Sequence, residues 1–185
     1  FFDMAMSGKY KAQAPELMTN ALKDYTNALN GARMKDKTKA EVLINRGAAQ
    51  GANNQFQQAI TDLTEGLKID PNNKNGYFNR SIAYYTTQQY DKALEDYDAY
   101  LKLDPFNANV WYESGMIQRS MQRNDQAIQS LGKAIQLNPR IGVAYLERAR
   151  AYAQSGKLAE AKTDYQRAQQ MGVKLEAMDQ QLLQK

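Results

Sequence analysis

"LKIDPNNKNGYFNR", residues 67–80, contains the fragment Asp70-Pro71-Asn72-Asn73. A near copy, "LKLDPFN", stands at 101–107, and a looser one, "IQLNPR", at 135–140. Pro71, Pro105 and Pro139 are separated by two equal steps of 34 residues, and Pro15 is the only other proline. Proline pushes the residue before it out of the helical region and has no N–H to continue a helical ladder. Asp70 and Asp104 are therefore expected to end one helix. Asn72, Asn73 and Asn107 suit the turn and the N-cap of the next. The proline ruler predicts a helical unit repeated every 34 residues.

Aligning the segments that start at Ala40, Lys74, Ala108 and Gly142 tests that prediction. One column reads Ala59, Ala93, Ala127, Ala161, and another Leu63, Tyr97, Leu131, Tyr165. Gly47, Ser81, Gly115, Ala149 are always small; Leu43, Tyr77, Trp111, Tyr145 are always large. Gln50, Tyr84, Gln118, Tyr152 are long throughout, and the prolines make a sixth column. Within a segment, Tyr90, Ala93, Leu94, Tyr97, Tyr100 and Leu101 recur at three- and four-residue steps, one apolar helical face. The stretch 76–87 repeats that period. Each segment thus reads as helix, short turn, helix. Two helices approach closely only where side chains are short, so the small columns are expected to face each other at the crossing.

Composition bounds the chemistry. Of 185 residues, 43% are hydrophobic and 24% charged, with a net charge of +4 spread along the chain. A nucleic-acid footprint is a stripe of one sign, so this charge does not favour such a partner. Cysteine and histidine are both absent. That excludes disulfides, thiolate chemistry and the usual zinc spheres, and removes the commonest general base. Neither a catalytic constellation, a metal site nor a cofactor site emerges. Asp96 with Asp98, or Asp62 with Glu65, form carboxylate pairs, but they stand among lysines where surface charge explains them. "SGKY" and "SGKL" lack the glycine spacing of a phosphate loop. No apolar run is long enough to span a membrane, and cytoplasm and bacterial periplasm both remain open.

Small residue, aromatic, small residue and terminal Asp-Pro at a 34-residue period resemble the tetratricopeptide repeat family. The resemblance covers residues 40 to about 172. It implies an all-α, right-handed α-solenoid of stacked antiparallel helix pairs, with the first helix of each pair lining the concave side. Repeats then occupy 40–73, 74–107, 108–141 and 142–172, with a divergent N-terminal unit at 1–39 and a capping helix at 173–185. Tyr100 departs from a column otherwise small (Gly66, Ala134, Ala168), and Val173 replaces a fourth proline, so the array is expected to end there. In the cap, Leu175, Met178, Leu182 and Leu183 share a face. At the front, Pro15 is expected to open a helix that stops at Gly31. "SGKY" at 7–10 copies the inter-helix turn "SGKL" at 155–158, and "NGARMKDKTK" reads as a loop carrying four extra residues. The start "FFDMAMSGKY" lacks an initiator Met and reads as the edge of a longer protein.

The resemblance also implies a non-catalytic scaffold that holds a segment of a partner protein. Candidates lie on first helices, outside the packing columns: Asn45, Phe78, Asn79, Tyr85, Tyr112, Met116, Arg119 and Arg150. An amide has both a donor and an acceptor, so Asn45 and Asn79, in one column, can pair with an extended backbone. Glu113 and Glu147 occupy that column later. Asn75 and Asn109 share another column and read as helix N-caps. Exposed aromatics suit binding. Packing between repeats competes for Phe78, Tyr85 and Tyr112, and applies above all to Ile82 and Met116. Arg119 and Arg150 can meet an acidic group of a ligand, or form a solvated, salt-bridged face. A family class that clamps C-terminal carboxylates needs Lys and Arg where this chain has Ile44, Ala48, Asn109 and Glu113. The alternative function is self-association through Phe1, Phe2, Met4 and Met6.

Overall fold

The computed structural model describes residues 8–31 and 34–184, with the side chains of 19–31 and 34–182. Among the described residues, the regular elements are all helices, and there are no strands. The order is Gly8–Gly31 (α1), Asp36–Ala52 (α2), Phe56–Ile69 (α3), Lys74–Thr86 (α4), Tyr90–Leu103 (α5), Ala108–Ser120 (α6), Asn124–Leu137 (α7), Gly142–Gln154 (α8), Leu158–Gln170 (α9) and Ala177–Gln184 (α10). Helices α4, α6 and α8 begin 34 residues apart, as do α3, α5, α7 and α9. The chain divides into two compact units, Phe1–Leu103 and Asp104–Lys185. The first unit packs α1 on α2, α2 on α3, and α3 on α4, with α4 paired to α5. The second pairs α6 with α7 and α8 with α9, stacks α7 on α8, and sets α10 on α9. This is the all-α solenoid of stacked helix pairs that the family resemblance implies.

The small columns act at the crossings. A Cβ on Gly47 would stand 2.6 Å from Leu63 Cγ, and one on Gly115 2.6 Å from Leu131 Cγ. Where the small residue is Ser81 or Ala149, the column partner is Tyr97 or Tyr165. The size of the small residue thus alternates with the shape of the large one. Asn73 Oδ1 accepts from the Gly76 N–H, and Asn107 Oδ1 from the N–H groups of Asn109 and Val110. The caps are therefore Asn73 and Asn107, and Asn75 and Asn109 lie inside the first turn.

Each first helix ends in one motif. The N–H groups of Gln55, Gln89, Arg123 and Lys157 donate to the carbonyls of Gln50, Tyr84, Gln118 and Tyr152 at 2.8–2.9 Å. The residue before each donor is left-handed: Asn54, Gln88 and Gln122 at φ 60°, and Gly156 at φ 75°. This is the six-to-one bond of a Schellman stop. The long column from Gln50 to Tyr152 supplies its carbonyl acceptor.

Three expectations at the ends are corrected. Helix α1 starts at Gly8 and runs through Pro15, so Gly8 to Tyr10 are helix and not a turn. The four extra residues are not loop: they are Asp36–Lys39, an added first turn of α2 with Asp36 at its positive end. In the cap, Leu175 is buried ahead of α10, whereas Met178 is 70% exposed. Gly172, at φ 78°, turns the chain where a proline would have done so, and Val173 covers Gly142. Leu183 falls outside the described side chains, and Phe1, Phe2, Met4 and Met6 outside the described residues.

Candidate functional site

In the first unit, Asn45, Phe78 and Asn79 come together. With Glu41, Ile44, Asn73 and Asn75 they line an open cavity of about 320 Å³ between α2 and α4. A second cavity of about 210 Å³ continues on the far side of Asn79, lined by Gly47, Ala48, Gly51, Ala52, Ile82 and Ala83. Asn79 borders both. The helical period explains the arrangement: residues 75, 79 and 82 of α4 recur at four and three, as do 41, 45 and 48 of α2. Among the described residues, no intramolecular hydrogen bond engages the side-chain amides of Asn45, Asn75 or Asn79.

The floor is apolar. Ile44 is only 3% exposed, and its Cγ1 occupies the space that a Cβ on Gly66 would need. The half-buried Phe78 ring is tilted against Tyr97 and Tyr100, at centroid distances of 6.3 and 6.0 Å. Tyr100, the departure from the small column, therefore braces Phe78. Ile82 is 40% exposed, which reverses the expectation that it packs between repeats. Tyr85 is equally exposed, beside Tyr90 at 5.7 Å.

The remaining candidates lie in the second unit. The Tyr112 hydroxyl donates to Met116 Sδ at 3.9 Å, and both side chains are half-buried. Arg119 and Arg150 line a cavity of about 450 Å³ together with Tyr165, Met178 and Asp179. Neither guanidinium is unpaired. Arg119 Nε donates to Glu147, whose other oxygen accepts from Arg150 Nη1 at 3.2 Å. Arg150 also donates through Nε and Nη2 to Asp179, at 3.1 and 2.8 Å, and Nη2 pairs with Glu176 at 3.0 Å. Burial pushes the Asp179 carboxyl up. Hydrogen bonds from Arg150, the Glu176 N–H and Tyr165 outweigh that effect and hold it below the usual aspartate range. Burial and the neighbouring Asp179 raise the Tyr165 phenol. This network ties α6, α8 and α10 together, with both guanidinium groups paired to carboxylates.

Sequence reasoning missed three features. Asn75 reads as a cap by residue type, although Asn73 already supplies the cap. Ile82 reads as a packing residue, yet it is exposed. Asp62 and Asp96, read as surface charge, are buried and held by Arg46 and Arg80. A signal existed for the last: Arg46, Arg80 and Arg148 keep the 34-residue ruler, each sixteen residues before an aspartate. Among the described residues, no group of acidic side chains could hold a metal ion, and no helix is long and apolar enough to cross a membrane.

Comparison with known proteins agrees with this architecture. The sequence profile of the tetratricopeptide repeat matches residues 44–108 and 112–172. Among solved structures, one of MamA superposes with a TM-score of 0.79 at 21% identity, covering 91% of this chain and 96% of that one. A second MamA structure gives 0.78 at 22% identity, covering 87% and 86%. YrrB, described as a TPR protein with an unusual peptide-binding site, gives 0.69 at 20% identity, covering 80% and 74%. At these identities the likeness concerns the fold. Among curated proteins, none matches the chain by sequence.

Proposed function

The chain belongs to the tetratricopeptide repeat family, and from that premise we propose that it is a non-catalytic protein–protein interaction scaffold whose first unit holds an extended segment of a partner along α2 and α4. The observation that carries this reading is the row of unengaged amides, Asn45, Asn75 and Asn79, around one cavity. Each provides a donor and an acceptor, so together they can match successive peptide groups whatever the side chains of the guest. Phe78 and Ile44 supply an apolar floor. Glu41, at the rim, favours a neutral or basic residue. The niche between Gly51 and Ile82 takes a small apolar side chain. Because α2 and α4 are packed on α3 and α5, the ordering cost of binding falls mainly on the guest.

The test uses a peptide selected from a displayed random library on the intact protein. Replacing Asn45 and Asn79 together by alanine should weaken that peptide by at least about tenfold, since two hydrogen-bonding amides are lost. The melting temperature should be unchanged, because neither amide bonds within the chain. Unchanged affinity in the double variant would refute the reading.

A further inference from the structure

The Arg–Asp pairing that repeats along the chain is broken once. Arg46 pairs with Asp62, Arg80 with Asp96 and Arg148 with Asp164. In the remaining repeat both positions are serine, Ser114 and Ser130, and both are buried. Two short hydroxyls replace a long guanidinium and a carboxylate, and a cavity of about 450 Å³ opens at that place. Its lining includes Trp111, Ile128, Ser130, Gly132, Lys133 and Gln136.

A second anomaly borders the same cavity. Beyond its aspartate, each arginine reaches toward the residue on the preceding second helix. Arg80 Nη1 donates to Thr64 Oγ1 at 3.0 Å, and Arg46 Nη1 to Thr26 Oγ1 at 3.4 Å. The position equivalent to Thr64 is Gly132, whose Cβ, if added, would stand 3.6 Å from Arg148 Nη1. Glycine offers no acceptor there. Arg148 spends Nε and Nη2 on Asp164, and its Nη1 meets no acceptor among the described residues.

We propose that this cavity, between α6 and α7 with Arg148 of α8 at its edge, docks a partner segment carrying a carboxylate beside an apolar side chain. Charge complementarity selects the occupant. The lining holds Lys133, which donates to Gln136 at 3.2 Å, and the amide of Gln129, with no carboxylate; Arg148 Nη1 stands beside the lining residue Gly132, 3.6 Å from where its Cβ would be. An acceptor that reaches Arg148 Nη1 takes the place of the missing threonine hydroxyl, and a negative one gains a charge-assisted bond. Trp111 and Ile128 accept the apolar neighbour, while the indole N–H is already committed to the Pro105 carbonyl at 2.9 Å. Arg148 stands two residues before Arg150, about 200° around the helix. The surface is separate from the Arg150 network, and it does not depend on the amide face of the first unit.

Trp111 is the sole tryptophan, so its fluorescence reports this cavity directly. The probe is the tripeptide N-acetyl-Glu-Leu-Glu-amide, with N-acetyl-Gln-Leu-Gln-amide as its neutral counterpart, on the full chain. The acidic peptide should give a saturable change at millimolar concentration or below, at least about tenfold tighter than the neutral one and weakened by salt. Gly132→Thr supplies the acceptor internally at an ordinary contact distance, so it should fold and bind the acidic peptide at least about tenfold more weakly. Lys133→Gln, at an exposed site, should weaken it without affecting folding. A missing response, equal affinity for the neutral peptide, or binding undiminished in both variants overturns the proposal. So does the same change with inorganic phosphate alone, which would mark a plain anion site, or with rising protein concentration alone, which would mark a second copy of the chain.

Discussion

The guanidinium of Arg80 grips the carboxylate of Asp96 through two hydrogen bonds, Nε to Oδ2 at 2.8 Å and Nη2 to Oδ1 at 2.7 Å. Its faces lie 5.8 Å from the ring centroids of Tyr77 and Tyr84. The pair is mostly sequestered, with side-chain exposures of 16% and 5%. Asp96→Ala strands a partly buried cation and should cost about 3 kcal/mol in urea unfolding. Arg80→Met with Asp96→Leu removes both charges and should recover most of that loss. If the double variant is no more stable than Asp96→Ala, the clamp is not a desolvated pair.

Gln88 and Gln122 sit in left-handed backbone at φ 60°, a conformation that penalises a Cβ by about 1–2 kcal/mol. The equivalent position in the last repeat is already glycine, Gly156. Gln88→Gly and Gln122→Gly should each stabilise the chain by up to about 1 kcal/mol, the entropy cost of glycine offsetting the rest. Thermal unfolding decides the sign.

Gly115 faces Leu131 so closely that an alanine Cβ would overlap Cγ, a branched and buried atom that cannot swing aside. Gly115→Ala should cost about 1–3 kcal/mol as overpacking. Gly115→Ala with Leu131→Tyr reproduces the Ala149–Tyr165 combination and should lose less than the single change. A double-mutant cycle with no coupling would disprove the pairing of small and large columns.

Asp179 anchors α10 to Arg150, and its carboxyl is held below the usual range. A depressed carboxylate stabilises the fold fully above the unfolded value of about 3.9, and that contribution is lost as pH falls through the folded one. Helix α10 should therefore release in acid, below about pH 4. Amide exchange over 177–184 should rise there before exchange in α8 does. Asp179→Asn should release the helix at neutral pH.

Much of this was legible in the sequence, because a 34-residue ruler turns every packing rule into a column. Pro71, Ala93 and Gly47 mark turn, crossing and close approach by residue type alone. Harder to read were positions that follow from neighbours in space. Asn73 and Asn75 are two residues apart and equally good caps by composition; only the helix start makes Asn73 the cap and frees Asn75 for the cavity. That Arg119 pairs with Glu147 and Arg150 with Asp179, 28 and 29 residues away, shows only in space. The Ser114–Ser130 break was visible on the ruler, but it gains meaning only beside the open Nη1 of Arg148.

In the proposed function, the amides of Asn45, Asn75 and Asn79 bind a peptide backbone. Nuclear magnetic resonance of their side-chain NH₂ groups, with a peptide selected on the intact protein, reads this directly. All three pairs of resonances should shift together and saturate with one affinity, and N-methylation of a central peptide bond should abolish the shifts. A selected peptide that saturates the first unit while those three amides stay in place would contradict the claim.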